Sequence, residues 1–90
     1  MITFLNGKLL ELNEISISPF DRGFQFADGV YEVIRAYHKK LFRLDDHLER
    51  LHNSLIEIRL KPEKKSSIKK IFLKLIEQNN RHLKDFTVYI

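Results

Sequence analysis

The stretch DRGFQFADGVYEVIRAY, Asp21 to Tyr37, decides the fold. Its first half is turn-rich, with Gly23 and Gly29 bracketing a compact connection. Its second half is crowded with β-branched and aromatic residues, so the sequence predicts a strand from Val30 to Tyr37. Side chains alternate across a strand. Tyr31, Val33, Arg35 and Tyr37 therefore share one face, and Glu32, Ile34 and Ala36 share the other.

Upstream, ITFLNGKLLEL reads as a β-hairpin turning at Asn6-Gly7, because both residues accept the positive φ of a type I′ turn. EISIS alternates Ile15 and Ile17 with serines and predicts a half-buried strand closed by Pro19. Downstream, HKK is a tight turn and LFRL a short returning strand. A helix follows, with Asp45 or Asp46 as N-cap and Asp46 to Glu49 as a loose capping box. Leu48, Leu51, Leu55 and Ile58 form its apolar arc, edged by His47, Arg50 and Ser54. LKPEKKSS links it to a second helix over about Ser66 to Gln78, whose stripe is Ile68, Ile71, Phe72, Leu75 and Ile76. Asn79-Asn80 is the expected stop, and DFTVYI begins another strand. The fold class is α+β: an antiparallel sheet, comprising the hairpin and further strands, with two amphipathic helices packed on it. An apolar strand ending at Ile90 reads as interrupted, so a fragment of a longer protein is expected.

Composition narrows the function. At 90 residues the chain is one small domain. It has no cysteine, which excludes a disulfide framework and a thiolate metal site. No metal-ligand spacing such as HExxH and no nucleophile elbow appears. No uncharged run approaches membrane-helix length, so no membrane association is expected. The net charge of +4 suits an anionic ligand. The lysines at 61, 64, 65, 69, 70 and 74 are not interleaved with aromatics for base stacking, so they read as a solvated face and not as a nucleic-acid site.

Three residues stand out. Arg50 reads either as a snorkelling arginine or as a partly desolvated fork suited to phosphate. Tyr31 reads either as core or as a phenol placed where loop meets sheet. Glu32 reads either as an exposed strand residue or as the buried partner of a cation. His47, one helical turn before Arg50, reads as a hydrogen-bonded structural histidine.

Taken in order, DRGFQFADGVYEVIRAY, LFRLDDHLERLHNSLIEIRL and FTVYI resemble the N-terminal domain of the fold-type IV pyridoxal-phosphate enzymes. These comprise D-amino acid aminotransferases, branched-chain aminotransferases and aminodeoxychorismate lyases. The stretches FQFADGVYEVIRAY and HLERLHNSLIEIRL look closest to the D-amino acid branch. The resemblance implies a cytoplasmic, homodimeric transaminase acting on a D-amino acid such as D-alanine and a 2-oxo acid, with pyridoxal 5′-phosphate as cofactor. Branched-chain transamination, the lyase reaction and a non-catalytic anion- or protein-binding module are the alternatives. By likeness, Arg50 binds the cofactor phosphate and Tyr31 lines the substrate side. The catalytic lysine and the acidic partner of the pyridine nitrogen have no counterpart here, so residues 1–90 are expected to be inactive alone, with no catalytic residue among them. One departure is Ala27, where the family commonly has glycine; a left-handed backbone there would be strained.

Overall fold

The computed structural model describes residues 1–79 and 82–90. Strands β1 (Ile2–Leu5) and β2 (Lys8–Glu11) pair antiparallel and close at Leu5↔Lys8. Asn6 and Gly7 have φ of 48° and 84°, the two left-handed conformations that the expected hairpin turn requires. The hairpin forms its own two-stranded sheet. It is held to the rest of the molecule by the Asn79 side chain, which donates to Ile2 O and accepts from Ile2 N–H, both at 2.7 Å.

The strand expected over EISIS is absent. A 3₁₀ turn covers Leu12–Glu14, and the chain then runs without a strand through Ser18. The reason is local: the Glu14 carboxylate accepts the Glu11 N–H at 3.0 Å and turns the backbone away from β2. The connection read as compact also contains a five-residue helix, α1 (Arg22–Phe26), capped by the Asp21 carboxylate on Gly23 N–H at 2.8 Å. Ala27 ends it with φ 55°, the left-handed position at which a Cβ is costly.

Strand β3 spans Val33–Tyr37, shorter than the Val30–Tyr37 expectation. It pairs with β4 (Lys40–Leu41) through a turn in which His38 and Lys39 both have positive φ. On its other side β3 pairs with β5 (Phe86–Tyr89), giving an antiparallel sheet of order β4-β3-β5. Two backbone hydrogen bonds between Glu32 and Ile90, at 2.8 and 3.0 Å, extend that ladder by one residue.

Helix α2 spans Leu44–Glu57. Its N-cap is Arg43, in a left-handed conformation, and not Asp45 or Asp46. Starting there turns Leu44 toward the core, and it leaves both aspartates in the first turn, where the helix dipole favours negative charge. Its end is a Schellman motif built on Arg59 (φ 61°), with Leu60 N–H on Leu55 O at 2.9 Å and Arg59 N–H on Ile56 O at 3.0 Å. Ile58, expected on the apolar arc, lies beyond the last turn and is exposed. Helix α3 spans Lys65–Asn79. Asn80 of the expected stop lies outside the described residues.

Both helices cover one face of the three-stranded sheet. The core is Ile34, Ala36, Leu48, Leu51, Ile68, Phe72, Phe86 and Val88, flanked by half-buried Leu41, Leu44, Leu55, Ile76 and Ile90. Two elements supply the sheet layer, β3 and β5, and each alternates buried with exposed. The other face of the sheet, with Tyr31, Val33, Tyr37 and Tyr89, is uncovered.

Candidate functional site

Glu32 is the one buried charged residue among the described residues, 7% exposed, on the same face as Ile34 and Ala36. A carboxylate in that position is costly unless ions and hydrogen bonds surround it. Helix α2 brings two partners. Arg50 Nε donates to Oε1 and Nη2 to Oε2, both at 2.6 Å, a two-pronged charge-assisted pair. His47 Nδ1 lies 2.8 Å from Oε2. An ionised carboxylate can only accept, so Nδ1 carries the hydrogen. The 3.2 Å approach of Arg50 Nη2 to that nitrogen is then a contact between two donors. The spacing of α2 explains the convergence, since residues three apart lie on one side of a helix.

The electrostatics follow from the contacts. The Arg50 hydrogen bonds hold the Glu32 carboxyl down to about 2 against the desolvation that pulls it up, with His47 adding to the lowering. Glu32 in turn raises the Arg50 pKa, so the guanidinium is charged at every ordinary pH.

Arg50 is not merely snorkelling. Its side chain is 67% exposed yet anchored at the inner edge. Nη1 has no hydrogen-bond partner among the described residues. Arg50 lines a shallow cleft of about 240 Å³ together with Phe42, Arg43, Asp46 and His47. Arg43, which sequence reasoning passed over, adds a second guanidinium, paired with Asp46 at 2.7 Å. The cleft is smaller than the few hundred Å³ that enclose a whole small molecule. Its donors and dimensions suit a phosphate group, and they do not surround a cofactor ring.

Tyr31 lies on the opposite face. It is 66% exposed, so it is not a core residue, and its ring stacks on Tyr89 with centroids 5.8 Å apart and planes 13° apart. Arg35 on the same face donates to Thr87 Oγ1 at 3.1 Å and lies over the Tyr37 ring. Tyr31 adjoins Glu32 in the chain, and Glu32 holds Arg50, but the cleft that Arg50 lines does not include Tyr31. The larger cavity, about 890 Å³, is an apolar groove between the hairpin, α3 and the outer edge of β5, and it includes neither. No group of three or more His, Cys, Asp or Glu among the described residues is arranged to hold a metal. No helix among them is long and apolar enough to cross a membrane.

Residues 29–90 match the class IV amino-transferase family. The chain is 40% identical over 81 residues to a D-alanine aminotransferase of Listeria innocua, covering 89% of this chain and 28% of that protein. It is 52% identical over 58 residues to a D-alanine aminotransferase of Bacillus licheniformis, covering 64% and 20% respectively. Its backbone superposes on a branched-chain aminotransferase of the archaeon Thermoproteus uzoniensis, crystallised with norvaline, at a TM-score of 0.86 and 29% identity. That alignment covers 99% of this chain and 31% of the other. The α+β arrangement of antiparallel strands and helices is therefore the family's own. The chain belongs to the class IV aminotransferases. It spans between a fifth and a third of the length of the relatives it matches.

Proposed function

We propose that this chain forms one wall of a pyridoxal-phosphate-dependent aminotransferase that moves the amino group of a D-amino acid, D-alanine in the first instance, to a 2-oxo acid. The observation that carries the reading is Arg50: a permanently charged fork, tethered on its inner edge and open on its outer one. The matches to D-alanine aminotransferases support the substrate class. Arg50 holds the cofactor phosphate, with Arg43 contributing charge across the same cleft. Tyr31, its ring stacked on Tyr89 and exposed on the open sheet face, offers its hydroxyl as a donor to the substrate carboxylate. When bound, pyridoxal phosphate supplies the electron sink that makes the Cα–H of an amino acid acidic. The residues described here bind and orient; the proton-transferring lysine belongs to a part of the protein that residues 1–90 do not match.

The unit is the N-terminal domain, 1–90, and is inactive by itself. Homodimeric assembly and a cytoplasmic site of action are carried over from the family alone. Branched-chain transamination is the second reading, supported by the backbone likeness to the Thermoproteus uzoniensis enzyme.

The test is a coupled assay of the cofactor-loaded protein with D-alanine and 2-oxoglutarate, in which pyruvate is the expected product. Turnover with branched L-amino acids and none with D-alanine overturns the substrate assignment. Catalysis by residues 1–90 in isolation overturns the division of labour. Arg50→Ala is expected to weaken cofactor binding far more than it lowers the unfolding midpoint; an equal loss of both makes Arg50 a packing residue.

A further inference from the structure

We propose that Glu32 is the positioning residue for Arg50: its buried carboxylate fixes the direction in which the guanidinium presents its outer edge, and His47 holds that carboxylate in turn. The proposal rests on the reading of Arg50 as the phosphate ligand, and it gives a role to two residues that reading does not use.

Stability alone does not account for Glu32. It occupies a position on the apolar face, beside Ile34 and Ala36, where an aliphatic side chain would pack. Replacing both members of a buried ion pair by well-packed apolar groups is often neutral or favourable, so the stability this carboxylate contributes beside Arg50 is not by itself a reason for the pair to be there. What the carboxylate does is geometric. Arginine carries about 2 kcal/mol of side-chain rotamer entropy, and an arginine 67% exposed would ordinarily use that freedom. Two hydrogen bonds at 2.6 Å to the Nε–Nη2 edge define both the plane and the direction of the fork. The third bond, from His47 Nδ1 at 2.8 Å, stops the carboxylate from rotating about its own last torsion. The outer nitrogen then meets an incoming phosphate already aimed, and less freedom is lost on binding.

Charge and geometry make opposite forecasts here. Glu32 is an anion close to a proposed anion site. If it acted only through its charge, Glu32→Gln would make the cleft more positive and tighten phosphate binding. If it acts by aiming Arg50, the same substitution weakens it.

The experiment titrates the full chain, labelled with ¹⁵N, with pyridoxal phosphate and with phosphate-free pyridoxal as control, following the Arg50 Nε–H signal. Wild type should show that proton protected from exchange and perturbed by pyridoxal phosphate but not by pyridoxal. Glu32→Gln should lose the protection and weaken pyridoxal phosphate binding about tenfold or more, the scale of one charge-assisted bond. Glu32→Asp, which withdraws the carboxylate by one methylene, should weaken binding in the same direction and carries the test if the amide variant fails to fold. In an Arg50→Lys background, where no fork remains to be aimed, Glu32→Gln should change affinity by less than about threefold. Arg50→Ala without effect on affinity removes the phosphate reading itself. Arg50→Ala weakening while Glu32→Gln binds equally or more tightly overturns the positioning role and leaves that reading intact.

Discussion

The two faces of β3 are built from alternate residues of one strand and could hardly differ more. Inward, Ile34 and Ala36 are fully buried under α2 and α3, and Glu32 alone breaks the apolar run. Outward, Tyr31, Val33 and Tyr37 are between 44% and 66% exposed; Tyr31 stacks on Tyr89 of β5, and Tyr37 meets the Phe42 ring edge-on and lies under Arg35. The sealed face accounts for why the chain folds. The open face keeps large aromatic surface in water, held by contacts among its own side chains and not by a second layer. Glu32 is where the faces meet in function: its backbone continues the ladder to Ile90, and its side chain holds the cation of α2.

The largest way to break that contrast is in the sealed layer. Phe72 is 2% exposed at the centre of the core, and Phe72→Ala should cost about 3–5 kcal/mol through lost burial and a residual cavity. For a domain of this size that is much of the total stability. Tyr31→Ala, one strand face away, should move the urea midpoint little, within the roughly 0.5 kcal/mol typical of surface changes. Comparable losses would mean the open face is packed in solution and the contrast is false.

The next largest effect concerns the charge inside the sealed face. The Glu32 carboxyl is lowered from 4.5 to about 2, which sets an upper bound of about 3 kcal/mol on its stabilisation at neutral pH, reduced by water screening because Arg50, its main partner, is 67% exposed. Because the folded value lies below the unfolded one, this contribution is complete above about pH 4.5 and is lost as the pH falls toward 2. Wild type should therefore destabilise steeply across that window in denaturant titrations. Glu32→Gln should start less stable at pH 7 and show a flatter acid limb. An unchanged slope would place the proton uptake on another group.

These partners show what a sequence conceals. The face assignment of Glu32 was legible from strand alternation, since it shares parity with Ile34 and Ala36. Its partners were not, because His47 and Arg50 lie 15 and 18 residues away and meet it only through the packing of α2 on β3. The apolar stripe of α3 and the Asn6-Gly7 turn were legible for the opposite reason: each is decided within a few residues. The start of α2 was misread because a left-handed Arg43 carries no compositional signal, and tertiary burial of Leu44 outweighed the capping preference of the aspartates. Helix α1, at five residues, is too short to show a period. EISIS had the alternation of a strand, but the Glu11–Glu14 capping box turns the chain at its start, and alternation carries no sign of that side-chain contact.

A smaller effect belongs to the turn that delivers Tyr31 to the open face. Ala27 holds φ 55°, and relieving its Cβ with glycine removes a penalty of about 1 kcal/mol. Glycine also loosens the unfolded chain, which takes back several tenths of that gain. Ala27→Gly should raise the thermal midpoint modestly and leave the Glu32 acid limb untouched. A drop in stability would mean the left-handed turn is imposed by α1 at no cost to alanine.

The smallest effect should come from the charges that bridge α2 and α3 over solvent, Lys65 with Glu49 and Lys69 with Asp45. They look like the Glu32 cluster on paper, as acid beside base across two elements. They differ in exposure: Asp45 is 81% exposed and Glu32 8%. Water screens the outer pair, and holding two long side chains together costs entropy, so Asp45→Asn should shift stability by no more than about 0.5 kcal/mol. The little that is lost should vanish in 1 M salt, because the screening length falls there to about 3 Å. The Glu32 contribution, shielded by the core beside it, should persist at the same salt concentration. If both vanish together, the inner carboxylate is as wet as the outer one, and the distinction between the two faces of β3 loses its physical basis.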